Sequence, residues 1–418
     1  MSDKDTSYAT FVRRQRRRRI IIGISVIVVF GLLYLALVKG LDVNRSAEWL
    51  RGATTAQLLS ALSNHPDDPD LLYTAAFRLW ERESKPDEAM PLALRALKLA
   101  PDKELNQLLV GYLLAAKGKP ARALQHYERA LQLNPAIQPA RSSAADLYLA
   151  GGMTEMARKQ YLAAQGEGPP SPTIAVGLIK VALQSGDYED AEQRARELLQ
   201  HSSQDRAAPY RLLYRALRGQ GRAAEFVALL EKLRREKPDL MSADHFALLA
   251  EAIMQRPNWE RDSGLVARVA SLAEQGVKMD GKSAPAHWAL AAARLGQGRL
   301  AAARQQAQRA VQLDPHLDRA VKLLAAIERR TGVAGAARSV AADTALAQAA
   351  AALAARIKSG EAGSEIRLRY AGVLEKQERF ADAFQVCWAL LEQDPENTAA
   401  LDLADRALAA AINRERSQ

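Results

Sequence analysis

The sequence is poor in the residues that covalent and metal chemistry require. Its 418 residues include one cysteine, Cys387. A single thiol excludes an internal disulfide, a CxxC redox pair, a four-thiolate zinc site and a CxxCH haem attachment. In FQVCWALL it reads as a small core residue. The six histidines, His65, His126, His201, His245, His287 and His316, never fall within five residues of one another, so neither HxxxH nor HExxH occurs. There is no GxSxG. The acidic pair Asp67-Asp68 sits beside prolines and reads as a turn or helix cap. Aromatic residues are only 6%, while alanine and leucine are frequent, a balance that favours helix. No catalytic constellation, metal site or cofactor is therefore expected.

The formal net charge of +10 first suggests a nucleic-acid partner, but its placement argues otherwise. Residues 1–19 carry Lys4, Arg13, Arg14, Arg16, Arg17, Arg18 and Arg19 against Asp3 and Asp5, half of the whole surplus. The other 399 residues are close to balanced, and no aromatic interleaving accompanies the arginines. Directly after them comes IIIGISVIVVFGLLYLALV, residues 20–38, with no charge. As a helix it would span ~28 Å, close to the hydrocarbon core of a bilayer. The run is longer than the apolar core of a signal peptide, and no cysteine follows it to take a lipid. It is read as a retained single-pass anchor. The larger basic cluster, Arg13 to Arg19, holds the N-terminus in the cytoplasm, with a second role against anionic lipid headgroups. Residues from about 40 onward are then expected outside the cytoplasm, which in a Gram-negative cell is the periplasm. The anchor has Gly23 and Gly31 but no GxxxG, so it gives no sign of dimerising.

The body repeats. Ala89, Ala123, Ala157 and Ala191 are each 34 residues apart, as are Gly118, Gly152 and Gly186, and Pro101, Pro135 and Pro169. One unit is clearest in ELNQLLVGYLLAAKGKPARALQHYERALQLNPAI, residues 104–137. A first apolar helix ends near Gly118, which can take positive φ. A second opens at Pro120, where a missing N–H costs nothing, and Pro135 stops it.

These residues resemble the tetratricopeptide repeat, a 34-residue helical hairpin. The resemblance rests on Gly111, Gly118, Ala123, Tyr127, Ala130 and Pro135. Units in this frame begin near 70, 104, 138 and 172. The frame loosens over 206–283 and returns over 284–317 with Gly298, Ala303, Ala307, Ala310 and Pro315. A weaker unit begins near 318, and another spans 364–397 with Ala383, Leu390 and Pro395. Segment 331–363 is low in complexity. The expected organisation is a tail (1–19), an anchor (20–38), a linker and half-repeat (39–69), regular units (70–205), degenerate units (206–283), C-terminal units (284–397) and a capping helix with tail (398–418). The fold implied is an all-α, right-handed superhelical solenoid preceded by one transmembrane helix.

The resemblance implies a groove that holds a protein partner, lined by the first helix of each unit. In the repeat frame that face includes Arg78, Leu108, Tyr112, Asp146, Lys180, Tyr210, Tyr214, Arg218 and Trp288. Some relatives grip acidic C-terminal peptides with lysine and asparagine. Arg78, Tyr112 and Asp146 stand where asparagine would be expected, which speaks against that use. One further motif, Gly276 to Ser283 in GVKMDGKS, fits GxxxxGK[ST]. A phosphate loop needs a strand before it and a helix starting at the lysine. Here a helical pattern leads in and Pro285 follows. The plainer reading is that Gly276 ends a helix, Asp280-Gly281 turns, and Ser283 caps the next helix. The functional expectation is a membrane-tethered, non-enzymatic scaffold that recruits proteins to an envelope, secretion or polysaccharide-export assembly, with no nucleic acid or small-molecule substrate. The alternatives are a cytoplasm-facing adaptor, whose known examples carry a paired-cysteine metal domain that is missing here, and a nucleotide-dependent enzyme using Lys282.

Overall fold

The computed structural model describes residues 47–166, 168–201, 207–315, 317–330, 340–359 and 363–416. The arginine tail and the apolar run 20–38 lie outside the described residues. Among the described residues no helix is long and apolar enough to cross a membrane. These residues contain helices and turns and no strand. They divide into two compact units, one ending at Ala100 and one beginning at Pro101.

The first unit holds α1 (Ala47–Gly52), α2 (Thr55–Asn64), α3 (Pro69–Glu81) and α4 (Pro86–Leu99). Thr54 and Gln57 form a capping box at the start of α2. Asp68 caps α3 by accepting from the amides of Asp70 and Leu71, as expected of that acidic pair. Leu58, Leu62, Leu71, Leu72 and Ala96 close a small core.

The second unit is a run of helical hairpins. They comprise α5 (Glu104–Ala116) and α6 (Pro120–Leu133), α7 (Gln138–Ala150) and α8 (Thr154–Gln165), α9 (Pro172–Ser185) and α10 (Tyr188–His201), and α11 (Ala207–Gly219) and α12 (Ala223–Glu236). Next come α13 (Ala243–Met254) and α14 (Ser263–Met279), then α15 (Ala284–Gly296) and α16 (Leu300–Leu313). The chain ends with α17 (Asp318–Arg330), α18 (Val340–Lys358), α19 (Ser364–Lys376), α20 (Phe380–Leu391) and α21 (Thr398–Arg416). Gly118, Gly152, Gly186 and Gly298 lie between +70° and +79° in φ at the hairpin turns, where a side chain would be strained. The expected helix start at Pro120 holds. The stretch 206–283, degenerate in sequence, still folds as two hairpins, because helix packing needs small and apolar positions rather than the consensus letters.

Glycines also set how closely helices approach. A Cβ on Gly111 would lie 2.4 Å from the ring of Tyr127, one on Gly177 2.4 Å from Tyr161, and one on Gly219 2.4 Å from Tyr188. Each tyrosine ring thus packs against bare backbone of a neighbouring helix. Gly276 is placed for the same reason. It does not end its helix, as the sequence reading had it, but lies inside α14, where a Cβ would come 3.1 Å from Ala286 and 3.2 Å from the Ala243 carbonyl. The rest of that motif follows the plainer reading. Asp280 accepts from the Lys282 amide at 2.8 Å, and Ser283 caps α15 by accepting from the Ala286 amide at 3.3 Å. With a helix leading in, the strand-turn-helix setting of a phosphate loop is missing here, which removes the structural basis for Lys282 as a nucleotide ligand.

The last two helices depart from a simple end cap. Helix α20 sets Phe384 against Gly151, where a Cβ would meet the ring at 2.4 Å, and Gln385 Nε2 donates to the Gly151 carbonyl at 3.2 Å. Helix α21 supplies buried Asp405, whose Oδ1 accepts from the amides of Ala121 (2.8 Å) and Arg122 (3.1 Å). Lys119, at the N-cap of α6, offers no side-chain cap, so Asp405 takes that role from 284 residues away. Arg122 pairs with both Asp405 and Asp402. One core then runs through Leu124, Tyr148, Tyr161, Phe384, Trp388, Leu401 and Leu408. Cys387 belongs to it, and burial pushes its thiol up to about 12, which keeps it unreactive.

Gly177→Ala should lower the melting temperature of the full chain by a loss of about 1–3 kcal/mol, because the enclosed Tyr161 ring cannot retreat. Gly372→Ala, with its nearest neighbour Leu403 at 3.8 Å, is expected to be neutral or slightly stabilising. Equal losses at both positions would contradict the ring-on-glycine account.

Candidate partner-binding groove

The first helices of the hairpins, α7, α9, α11, α13, α15 and α17, lie side by side, each touching the next in the series. Two rungs of charge tie α11 to α13. Arg211 reaches Asp244 at 3.1 Å, and Arg218 reaches Glu251 at 3.6 Å. Each pair joins residues 33 apart, the same place on successive first helices. Glu251 is 7% exposed, and Arg319 of α17 also binds it. The Arg319 guanidinium lies over the Trp288 ring, 4.4 Å from its centroid, an arrangement that favours both partners. Asp244 in turn accepts from Ser283 Oγ at 3.4 Å.

Arg215 sits between the two rungs, one turn from each of Arg211 and Arg218. Its counterpart 33 residues on is Leu248, a buried apolar residue. Among the described residues Arg215 makes no hydrogen bond or ion pair. Burial pulls its pKa below the ordinary arginine value, and Arg218 and Arg211 act in the same sense, while the charge of Glu415 opposes them.

The tip of α21 enters this region. Glu415 binds Lys180 of α9 at 2.8 Å. Arg414 reaches Asp318 of α17 at 3.3 Å and donates to the Glu378 carbonyl at 3.0 Å. Two cavities flank the tip. One of about 590 Å³ is lined by Tyr127, Ser143, Asp146, Lys180, Ile412 and Glu415, among others. The other, about 330 Å³, has Lys180, Gln184, Arg215, Arg379, Arg414 and Glu415 on its walls. Asp146 opens onto the larger cavity and accepts from the hydroxyl of Tyr161. The protein crowded around it raises its carboxyl pKa, which the Tyr161 hydrogen bond and Lys180 offset in part and Glu415 reinforces.

The nine residues expected to face a partner thus separate. Asp146 and Lys180 share one cavity, Arg218 binds Glu251, and Trp288 lies under Arg319, which binds the same acid. Tyr112 is half-buried, edge-on to Tyr127 with centroids 5.7 Å apart. Four assignments need correction, and three of these residues, Leu108, Tyr210 and Tyr214, belong to the core. A first helix is covered both by its own hairpin partner and by its neighbours, so a large side chain at that register is driven inward. Tyr214 packs on Phe226 with centroids 5.0 Å apart. Arg78 is also buried, in the first unit, where it donates to the carbonyls of Leu50 and Arg51 at the end of α1 and holds no outward position. Arg215, Glu251, Arg319 and Glu415 escaped the repeat frame. The arginine spacing in RLLYRALR and the lone acid in HFALLAEAIM were the available signals.

With this geometry established, the relationships are direct. The tetratricopeptide-repeat family model matches residues 108–172, 176–240 and 260–318, and these stretches carry tetratricopeptide repeats. It is similar in structure to a tetratricopeptide repeat protein from Parabacteroides merdae, at 19% identity and TM-score 0.43, covering 62% of this chain and 95% of that one. Yeast Tom70 is similar at 14% identity and TM-score 0.48, over 66% of this chain and 57% of its own. PilW, a type IV pilus biogenesis factor, is similar at 15% identity and TM-score 0.41, over 51% and 94%. No curated protein matches the sequence.

Glu251→Gln should destabilise the full chain by about 1–3 kcal/mol, since it weakens two arginine contacts at a buried site. Glu365→Gln, in the exposed pair with Arg369, should change stability by less than about 0.5 kcal/mol. Denaturant titration of both variants checks this. Asp146 also predicts a pH effect. Its folded pKa is raised above the ordinary 3.8, so its stabilising share is complete below that value and is lost as pH rises through the folded pKa. Asp146→Asn should therefore keep its stability at pH 7 and show a flatter melting profile above pH 4 than the parent chain.

Proposed function

We propose that the protein is a non-enzymatic scaffold which holds a protein partner along the first helices of its repeats. In this reading residues 20–38 tether it to a membrane, the arginines at 13–19 keep the tail cytoplasmic, and the array stands on the other side, within an envelope, secretion or polysaccharide-export assembly. The observation that carries the binding role is the row of first helices with charged side chains and two cavities on it, one basic group of which, Arg215, makes no hydrogen bond or ion pair among the described residues. Tethering and orientation rest on the uncharged run that directly follows six arginines.

Two measurements test the proposal. A C-terminal fusion to a reporter active only outside the cytoplasm should be active, and an inactive fusion would overturn the orientation. Crosslinking in intact membranes should capture a partner with the parent chain and much less of it with Lys180→Glu. Equal capture by both would remove the groove from the account.

A further inference from the structure

Helix α21 makes two sets of contacts along its length. Its first part is fixed, with Asp405 on the amides of α6, Arg122 on Asp402 and Asp405, and Leu401, Ala404 and Leu408 in the core. Its tip is not. Residues 409–415 lie between two cavities, and two ion pairs, Lys180–Glu415 and Arg414–Asp318, hold them there. All four side chains remain roughly a third exposed, and pairs in that setting add little to stability. The seat nevertheless has a defined chemistry. Ala409, Ile412 and Glu415 follow at three-residue steps on one side of the helix and line the larger cavity with Leu147 and Leu149. The seat therefore accepts an apolar helical stripe that ends in a carboxylate. One carboxylate does not satisfy it. Glu415 binds Lys180, while Arg215, left unmatched because Leu248 stands where the ladder would need an acid, feels Glu415 without bonding to it.

We propose that Lys180 and Arg215 form a carboxylate-reading site, filled in the free chain by the tip of α21, and that an acidic amphipathic helical segment of a partner protein displaces the tip and engages both basic groups. The groups facing this site are Lys180, Gln184, Arg215, Arg379 and Arg414 against Asp382, Glu378 and Glu415 on one side, and Asp146 on the other. Departure of the tip removes Glu415 and Arg414 together, leaving Lys180 without its ion-pair partner and Asp146, Glu378 and Asp382 as the acids that remain around the two basic groups. A partner carrying two acids a turn apart supplies what Glu415 alone does not. The inference rests on the scaffold reading and names the chemistry of its partner.

The test uses the full chain and a fluorescein-labelled peptide copying residues 404–416 with Ala411→Glu, which sets a second acid one turn before Glu415 on the wall of the cavity that Arg215 lines. Anisotropy should show weak binding to the parent chain and binding about 10-fold tighter to Glu415→Ala, whose site is no longer occupied; the affinity of a site closed about nine-tenths of the time is reduced by that factor. Adding Lys180→Ala or Arg215→Ala to Glu415→Ala should abolish the gain. Amide exchange on Glu415→Ala should quicken at 409–416 and stay unchanged at 398–408, showing that the fold survives. The proposal is overturned if Glu415→Ala does not tighten binding, or if the gain persists without Lys180 and Arg215. Because the peptide replaces the natural partner, a failed crosslinking capture leaves this result standing, and a failed titration leaves the scaffold role standing.

Discussion

Two helices can come closer than their side chains normally allow when one offers glycine and the other lays an aromatic ring across it. The second unit is assembled on that contact. Tyr127 on Gly111, Tyr161 on Gly177 and Tyr188 on Gly219 recur along the array. Each ring removes a large apolar area from water while fixing spacing and angle at once. The small residues that flank these rings, such as Ala123, Ala130, Ala157 and Ala164, are fully enclosed in consequence. A composition with few aromatics and much alanine is thus what the packing scheme requires. Four of the rings, Tyr127, Tyr161, Tyr188 and Phe384, stand at contacts where only glycine fits opposite.

The same contact recurs where the chain returns on itself. Phe384 against Gly151 joins α20 to α7 as the tyrosines join neighbours, and Asp405 completes the join by capping α6. In an ordinary repeat array each unit touches only its neighbours. Here helices near the C-terminus share a core with the hairpins that open the unit. The charges on the first helices are arranged within this closed frame, which explains why the tip of α21 reaches Lys180 and Asp318 at all.

Much of the fold was legible in the sequence because repetition amplifies weak local signals. Gly118, Pro120, Ala123 and Pro135 each carry little information alone, yet at a fixed period they mark hairpin, turn and stop. The groove was less legible. Repeat register tells which helix a residue occupies and roughly which side, but Tyr210 and Tyr214 show that it does not separate a side chain facing a partner from one facing the next helix. That difference is decided by which neighbouring residues cover the side chain, as Phe226 covers Tyr214. Arg215 matters because of a leucine 33 residues away, and Asp405 because of an uncapped helix 284 residues away. No local pattern contains such pairings, since neither residue is unusual in its own neighbourhood. The destination of α21 was hidden for the same reason: as an amphipathic helix after the last unit it looks like any cap.

The Asp405 cap also bears on how the protein is made. Its two ends are separated by most of the chain, and a ribosome adding 5–20 residues per second needs roughly 15 to 60 s to travel between them. Throughout that interval α6 stands without its cap, and the seats for Phe384 and Leu408 face solvent. Contacts of such sequence separation are costly to form and slow the final step of folding. The array therefore cannot be finished in order from its N-terminal side, as a nearest-neighbour stack could be. It stays open until its last hairpin has been synthesised, and a chain released early would present an uncovered apolar seam.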